Sequence, residues 1–158
     1  MTDTRLPLPT SRSSAMAMAL DQARAAATRG EVPVGAVIVD ATGVVLASAG
    51  NETRATHDPS AHAEIVAIRR ACAALKSDRL IDCDLYVTLE PCPMCATAIA
   101  FARVRRVYFG AYDPKGGGVE HGARIFNQPT CHHAPEVYGG LSETEAQALL
   151  RTFFAERR

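Results

Sequence analysis

The chain has 158 residues, 47% hydrophobic and 22% charged, with 17 Lys and Arg against 17 Asp and Glu. That balance fits one compact domain with a real core, and the zero net charge excludes attraction of the whole molecule to nucleic acid, so any such partner must be held by a local patch. No apolar run approaches bilayer length and MTDTRLPLPTSRSSA lacks the apolar stretch of a secretory signal, so five cysteines, an odd number, fit reduced cytoplasmic thiols better than a disulfide framework. Residues 1–13 read as a flexible N-terminal arm and 14–158 as the domain. Met16, Leu20, Ala23 and Ala27 line one face of a first helix that ends near Gly30. VGAVIVDATGVVLASAG then holds two β-branched runs around Asp40–Gly43, a hairpin signal. Asn51 to Ser60 is polar and ends in Asp58-Pro59, which favours a helix start and puts His62 in or just before the first turn. In that helix Ile65, Ile68, Cys72 and Leu75 form the apolar stripe. LYVTL, 85–89, is a buried strand running into a helix from about Pro93, and RRVYFGAYD is another strand, followed by a flexible PKGGGVEHG. The last helix begins at SETE, where Ser142 and Glu145 have capping-box spacing, and continues through Leu149, Leu150, Phe153 and Phe154. Alternating strands and helices imply an α/β layer fold around a largely buried sheet.

Charge is unevenly spread. Residues 78–90 carry Asp78, Asp82, Asp84 and Glu90 against Arg79, whereas 101–124 carry Arg103, Arg105, Arg106, Lys115 and Arg124 against Asp113 and Glu120. The second stretch is either a solvated surface or a phosphate-binding patch.

Chemistry concentrates at two helix starts. Cys92 and Cys95, three apart, share one face of a helix N-terminus, which favours thiolates and suits a single metal ion. Alone, this CxxC could equally be a redox pair, half of a structural zinc site or a coincidence. Likewise His62 alone reads as a satisfied histidine near a helix start, and Glu64 alone as a complement to the helix dipole. Together, His62, Cys92 and Cys95 make three ligands, the number that leaves tetrahedral zinc one open position. A closed site would need a fourth ligand, and Cys72, Cys83, Cys131, His57, His121, His132 and His133 all lack comparable spacing. Glu64, two residues from the histidine, is placed to serve as a general base.

HAE at 62–64 followed by PCPMC at 91–95 matches H-x-E…P-C-x-x-C, and on these residues the chain resembles the zinc-dependent cytidine deaminase superfamily. EVPVGAVIV, THDPSAHAEI, RLIDCDLYVTLEPCPMC, RVYFGAYDPKGG and Phe153-Phe154 extend the resemblance, from about residue 15 to the C-terminus, to its branch of bacterial tRNA-specific adenosine deaminases. The resemblance implies a three-layer α/β/α sandwich with a five-stranded mixed sheet, one zinc ion per subunit on His62, Cys92 and Cys95, and Glu64 as proton shuttle. It also implies a homodimer, no membrane contact, and a tRNA anticodon stem-loop as partner, with adenosine 34 of tRNA-Arg(ACG) converted to inosine. Asn51 and the Ala63 backbone then match contacts to the target nucleoside, and Asp113, Phe153 and Phe154 match contacts to the anticodon loop. Segment 116–140 departs from the better-known members, and His132 and His133 receive no role. Two other readings stand beside this one: a free nucleobase deaminase of guanine or cytosine type, and a non-catalytic, zinc-stabilised RNA-binding module.

Overall fold

The computed structural model describes residues 10–157. Its elements run α1 (Arg12–Thr28), β1 (Gly35–Val39), β2 (Val45–Gly50), α2 (Ala63–Leu75), β3 (Asp84–Leu89), α3 (Pro93–Phe101), β4 (Arg106–Ala111), a 3-10 turn (Ile125–Asn127), β5 (Glu136–Tyr138) and α4 (Glu143–Ala155). The last two residues of the expected arm, Arg12 and Ser13, already belong to α1, because Ser11 caps the helix by accepting the Ser14 N–H at 3.1 Å. Residues 1–9 of that arm lie outside the described residues.

The strands form one sheet in the order β2-β1-β3-β4-β5. β1 is antiparallel to β2 and β3, while β3, β4 and β5 are parallel, so the sheet is mixed. Alternation along β1 sends Ala36 and Ile38 to one face and Val37 and Val39 to the other. The first face, with Leu85, Val87, Val107 and Phe109, packs on Ala63, Ala67 and Ala71 of α2 and Ala96 and Ile99 of α3. The second packs on Met16, Ala19 and Leu20 of α1 and Ala146 of α4, completing the three-layer α/β/α sandwich. Each large side chain fully buried here, Phe109 and Ile99 among them, contributes roughly 1.5–3 kcal/mol. Among the described residues no helix is long and apolar enough to cross a membrane.

Three local expectations are corrected. The seam of α2 is made by Ala63, Val66, Ala67 and Ala71; Ile68 and Cys72 only flank it, Ile65 is buried outside it, and Leu75 is 43% exposed. Small residues let α2 lie close to the sheet, which moves the buried stripe round the helix from the larger apolar positions. Ser142 precedes α4 but makes no side-chain cap, since its left-handed conformation (φ 56°) does not aim the hydroxyl at the first turn. PKGGGVEHG is packed rather than loose: Gly117, Gly118 and Val119 are buried. Strand β5 carries little strand signal of its own and forms through pairing with β4, where Tyr138 stacks on Tyr108 and Tyr108 on Tyr86 at 5.0 and 4.6 Å.

Candidate active site

The parallel strands β3 and β4 end at Leu89 and Ala111, and the site lies beyond those carboxyl ends, where α/β folds commonly open a crevice. β3 runs through Glu90 and Pro91 into Cys92, the residue that precedes α3. Pro93 occupies the first turn, where its missing N–H costs nothing, and Cys95 follows, fully buried. Across from it, His62 holds the equivalent place before α2 in an extended conformation (φ −66°, ψ 156°), its ring free of any capping duty. The loop leading to His62 is tightened by Asp58, whose carboxylate accepts the Ser60 N–H at 2.9 Å and hydroxyl at 2.6 Å. Two helix starts thereby aim three ligand side chains at one point.

His62 Nδ1 lies 3.4 Å from Cys95 Sγ and 3.6 Å from Cys92 Sγ, and all three ligand atoms fall within 4.8 Å of one another. Tetrahedral zinc with Zn–S about 2.3 Å and Zn–N about 2.0 Å requires N···S separations of about 3.5 Å. Protonation supports the same fit. The Cys95 thiol donates to Cys92 and, against the penalty of burial, it and His62 pull Cys92 down to about 4, while that same bond and burial push Cys95 far up. Without a cation the pair holds one thiolate; a divalent ion is what lets both ionise. His62 is raised, first by its bond to Cys92.

Glu64 is 4% exposed, and burial pushes its carboxyl up to about 6 against the lowering effect of its own backbone N–H and His62. It shares with Asn51, His62, Cys92, Asp113 and Gly116 a cleft of about 240 Å³. Asn51 is buried at the end of β2, with its carbonyl accepting from Arg29 Nη2 at 3.3 Å. Ala63 is buried at the first position of α2, where helix geometry leaves the backbone N–H without an intrahelical partner. The Asp113 carboxylate accepts the Lys115 and Gly116 N–H groups at 3.2 and 2.9 Å. The structure therefore brings His62, Ala63, Glu64, Cys92, Cys95, Asn51 and Asp113 together. The Phe pair divides. Phe153 is 4% exposed, under Arg157 at 3.5 Å and turned toward α1, which removes it as a surface contact. Phe154 is 49% exposed and lines a groove of about 300 Å³ with Tyr112 and Arg151.

Two buried carboxylates escaped the sequence reading. Glu31 accepts the Arg54 and Ala55 N–H groups at 2.9 and 3.1 Å, steadying the loop that follows Asn51. Glu90, 2% exposed, receives the segment 113–121 from the other side. The available signal for Glu90 was a charge set directly after the buried strand LYVTL, where ionised groups are normally avoided. Burial would raise its carboxyl, but the bonds from His121 and the backbone outweigh burial and hold it below the usual range.

A sandwich of this form with a His/Cys/Cys cluster and a buried glutamate at one cleft defines the class of zinc-dependent deaminases. The family model described as cytidine and deoxycytidylate deaminase zinc-binding region matches residues 9–111. A tRNA-specific adenosine deaminase of Agrobacterium fabrum is 60% identical over 147 residues, covering 93% of this chain and 96% of its own. A solved structure from a study of A-to-I editing by tRNA:A34 deaminases is also 60% identical, superposes with a TM-score of 0.86, and covers 88% of this chain and all of its own. The chain belongs to the cytidine and deoxycytidylate deaminase family and, within it, to the tRNA-specific adenosine deaminases. A guanine deaminase of Nitrosomonas europaea shares the fold, with a TM-score of 0.81 at 23% identity over 96% of this chain and 89% of its own.

Proposed function

We propose that the protein hydrolytically deaminates adenosine 34 in the anticodon loop of tRNA-Arg(ACG) to inosine, with one zinc ion per subunit on His62, Cys92 and Cys95. The observation that carries the mechanism is the burial of Glu64 in the same cleft as the ligand cluster. When bound, zinc supplies a Lewis acid that brings the ionisation of water toward neutral pH. The remaining steps belong to the chain. Glu64, with a carboxyl matched to neutral pH, takes one proton from the attacking water as its oxygen bonds to C6 of the purine, and passes that proton to N1. Glu64 then moves the hydroxyl proton to the exocyclic nitrogen, the C6–N bond breaks, and ammonia and inosine leave. Asn51 and the Ala63 N–H hold the flipped nucleoside, while Asp113 and Phe154 face the loop around it. The apolar lining of the cleft beside Glu64, from Val34 and Leu89, limits competing water.

The enzyme acts as a cytoplasmic homodimer in this reading. Phe101 of α3, 72% exposed, borders a groove of about 290 Å³ with Ala100, Ile125 and Cys131, a face of the kind a second copy covers. The test is to incubate the zinc-loaded protein separately with an ACG anticodon stem-loop and with guanine. Inosine in the first and no ammonia from the second is the expected result. Turnover of guanine alone would make the chain a free-base deaminase, and RNA binding without turnover would make it a scaffold.

A further inference from the structure

We infer that Glu90 is a positioning residue for the reaction: with His121 as its side-chain lock, it fixes the Asp113–Gly116 wall of the cleft by holding both ends of segment 113–121 on one buried carboxylate. The inference rests on the deaminase reading above and goes beyond the ligand set and the proton shuttle.

Composition points the other way. Gly116, Gly117 and Gly118 in succession, with Gly122 just beyond, give this stretch the largest backbone freedom in the chain, the makeup of a lid. The hydrogen bonds remove that freedom. Glu90 Oε1 accepts the Asp113 N–H at 3.1 Å and His121 Nδ1–H at 2.8 Å. Oε2 accepts the N–H groups of Val119, Glu120 and His121 at 3.3, 3.0 and 3.1 Å. Donors on every side leave no place for an amide NH₂, so only a carboxylate serves here. Gly117 lies so close to Glu90 that a Cβ would collide with the carboxylate, which makes this glycine a point of close approach and not a hinge. Gly118 N–H bonds Pro91 O at 2.8 Å, tying the wall to the turn that carries Cys92. The His121 ring also meets Tyr112 edge-on, with centroids 6.2 Å apart, closing the segment on itself.

A wall ordered in advance spares the RNA the entropy of ordering it, so loosening the wall weakens substrate binding in ground and transition states alike and shows in KM, with kcat held. His121 is the cleaner handle, being partly exposed and outside the core. The experiment compares His121→Ala, His121→Asn and Glu90→Gln in the zinc-loaded protein, measuring kcat and KM on the ACG stem-loop, zinc per chain, and amide hydrogen exchange over 113–121. His121→Ala is expected to raise KM roughly tenfold, the size of one hydrogen bond to a charged acceptor. Its kcat and zinc content stay near wild type, and exchange over 113–121 quickens. His121→Asn, which keeps an N–H donor toward the carboxylate, recovers most of the loss, and Glu90→Gln shows a larger KM rise. An unchanged KM in His121→Ala, a joint fall of kcat and zinc content, or an asparagine variant no better than alanine overturns the inference. If wild type leaves the stem-loop untouched, the proposed substrate is wrong; unchanged exchange over 113–121 in His121→Ala then overturns the brace independently.

Discussion

Asp84 and Arg105 are joined by two parallel hydrogen bonds, Nε to Oδ1 and Nη2 to Oδ2, each 3.0 Å long. Arg106 adds a third contact to Asp84 at 3.8 Å and pairs with Glu136 at 2.8 Å. The densest part of the basic stretch is thus neutralised within the fold. It also lies at the wrong end of the sheet: Asp84 pairs with Arg106 where β3 and β4 begin, and the cleft opens where they end, about 16 Å away at 3.3 Å per residue.

Arg105→Ala is therefore expected to act on stability and not on RNA binding. Removing one side of a two-pronged pair whose acid is nearly buried costs about 1–2 kcal/mol, measurable by thermal unfolding, with KM for the stem-loop unchanged. Lys115→Ala does the opposite. Lys115 is exposed beside Asp113 at the cleft, so its loss raises KM and flattens the salt dependence of binding while the melting temperature stays put. A KM effect in the Arg105 variant would return that residue to the RNA surface.

Glu64→Gln separates chemistry from metal binding. The amide preserves size and removes the proton shuttle, so inosine formation is expected to fall roughly 10²–10⁴-fold, the usual share of general acid–base catalysis. Zinc content is retained, and stability is equal or higher, because burial opposes ionisation of the native carboxylate. Quantified inosine, metal analysis and a melting curve on one preparation decide the matter; wild-type turnover in this variant would remove Glu64 from the mechanism.

The site was more legible than the scaffold around it. His62, Glu64, Cys92 and Cys95 could be read directly, because metal ligation restricts residue type and spacing at once, and both helix starts were marked by proline nearby. The strands of the core were legible from composition: VGAVIV and LYVTL are short, continuous, β-branched-rich runs, as strands buried on both faces require. What stayed hidden depends on partners distant in sequence. β5 exists through β4, and the ordering of 113–121 depends on Glu90, more than twenty residues upstream. Phe153 and Phe154 are adjacent and chemically identical, so only the rotation of α4 against α1 tells them apart.

The five cysteines should report the metal site by reactivity. Burial, with Asp40 and Asp84 nearby, pushes Cys83 up from 9.0 to about 11, so at pH 8 its thiolate is about a hundredfold scarcer than an ordinary thiol's. Its labelling rises only as pH climbs toward 11 or the chain unfolds. In the zinc-loaded protein a thiol reagent at pH 8 should find only Cys131 and, more slowly, Cys72, whose thiol is also raised by burial. Chelation should then release two more, Cys92 and Cys95, and denaturant the last. No gain of thiols on chelation would argue against the ligand assignment.

The Phe pair offers the sharpest contrast between stability and binding at neighbouring positions. Phe153 sits four residues after Leu149 on the face of α4 that meets α1, edge-on to Phe154 at 5.3 Å, and truncation to alanine should cost about 3–5 kcal/mol. Phe154 stands one step further round, exposed in the groove with Tyr112 and Arg151, a surface continuous through Tyr112 with Asp113 at the cleft. Its replacement should change stability by no more than about 0.5 kcal/mol, as for surface positions generally. If a loop base stacks there, KM for the stem-loop rises roughly tenfold, within the range of a single base–aromatic stack. Circular-dichroism melts and stem-loop kinetics on both alanine variants give the four numbers needed. A Phe154 variant that binds RNA as tightly as wild type would place the anticodon loop elsewhere, on the side of the cleft formed by the loop after Asn51.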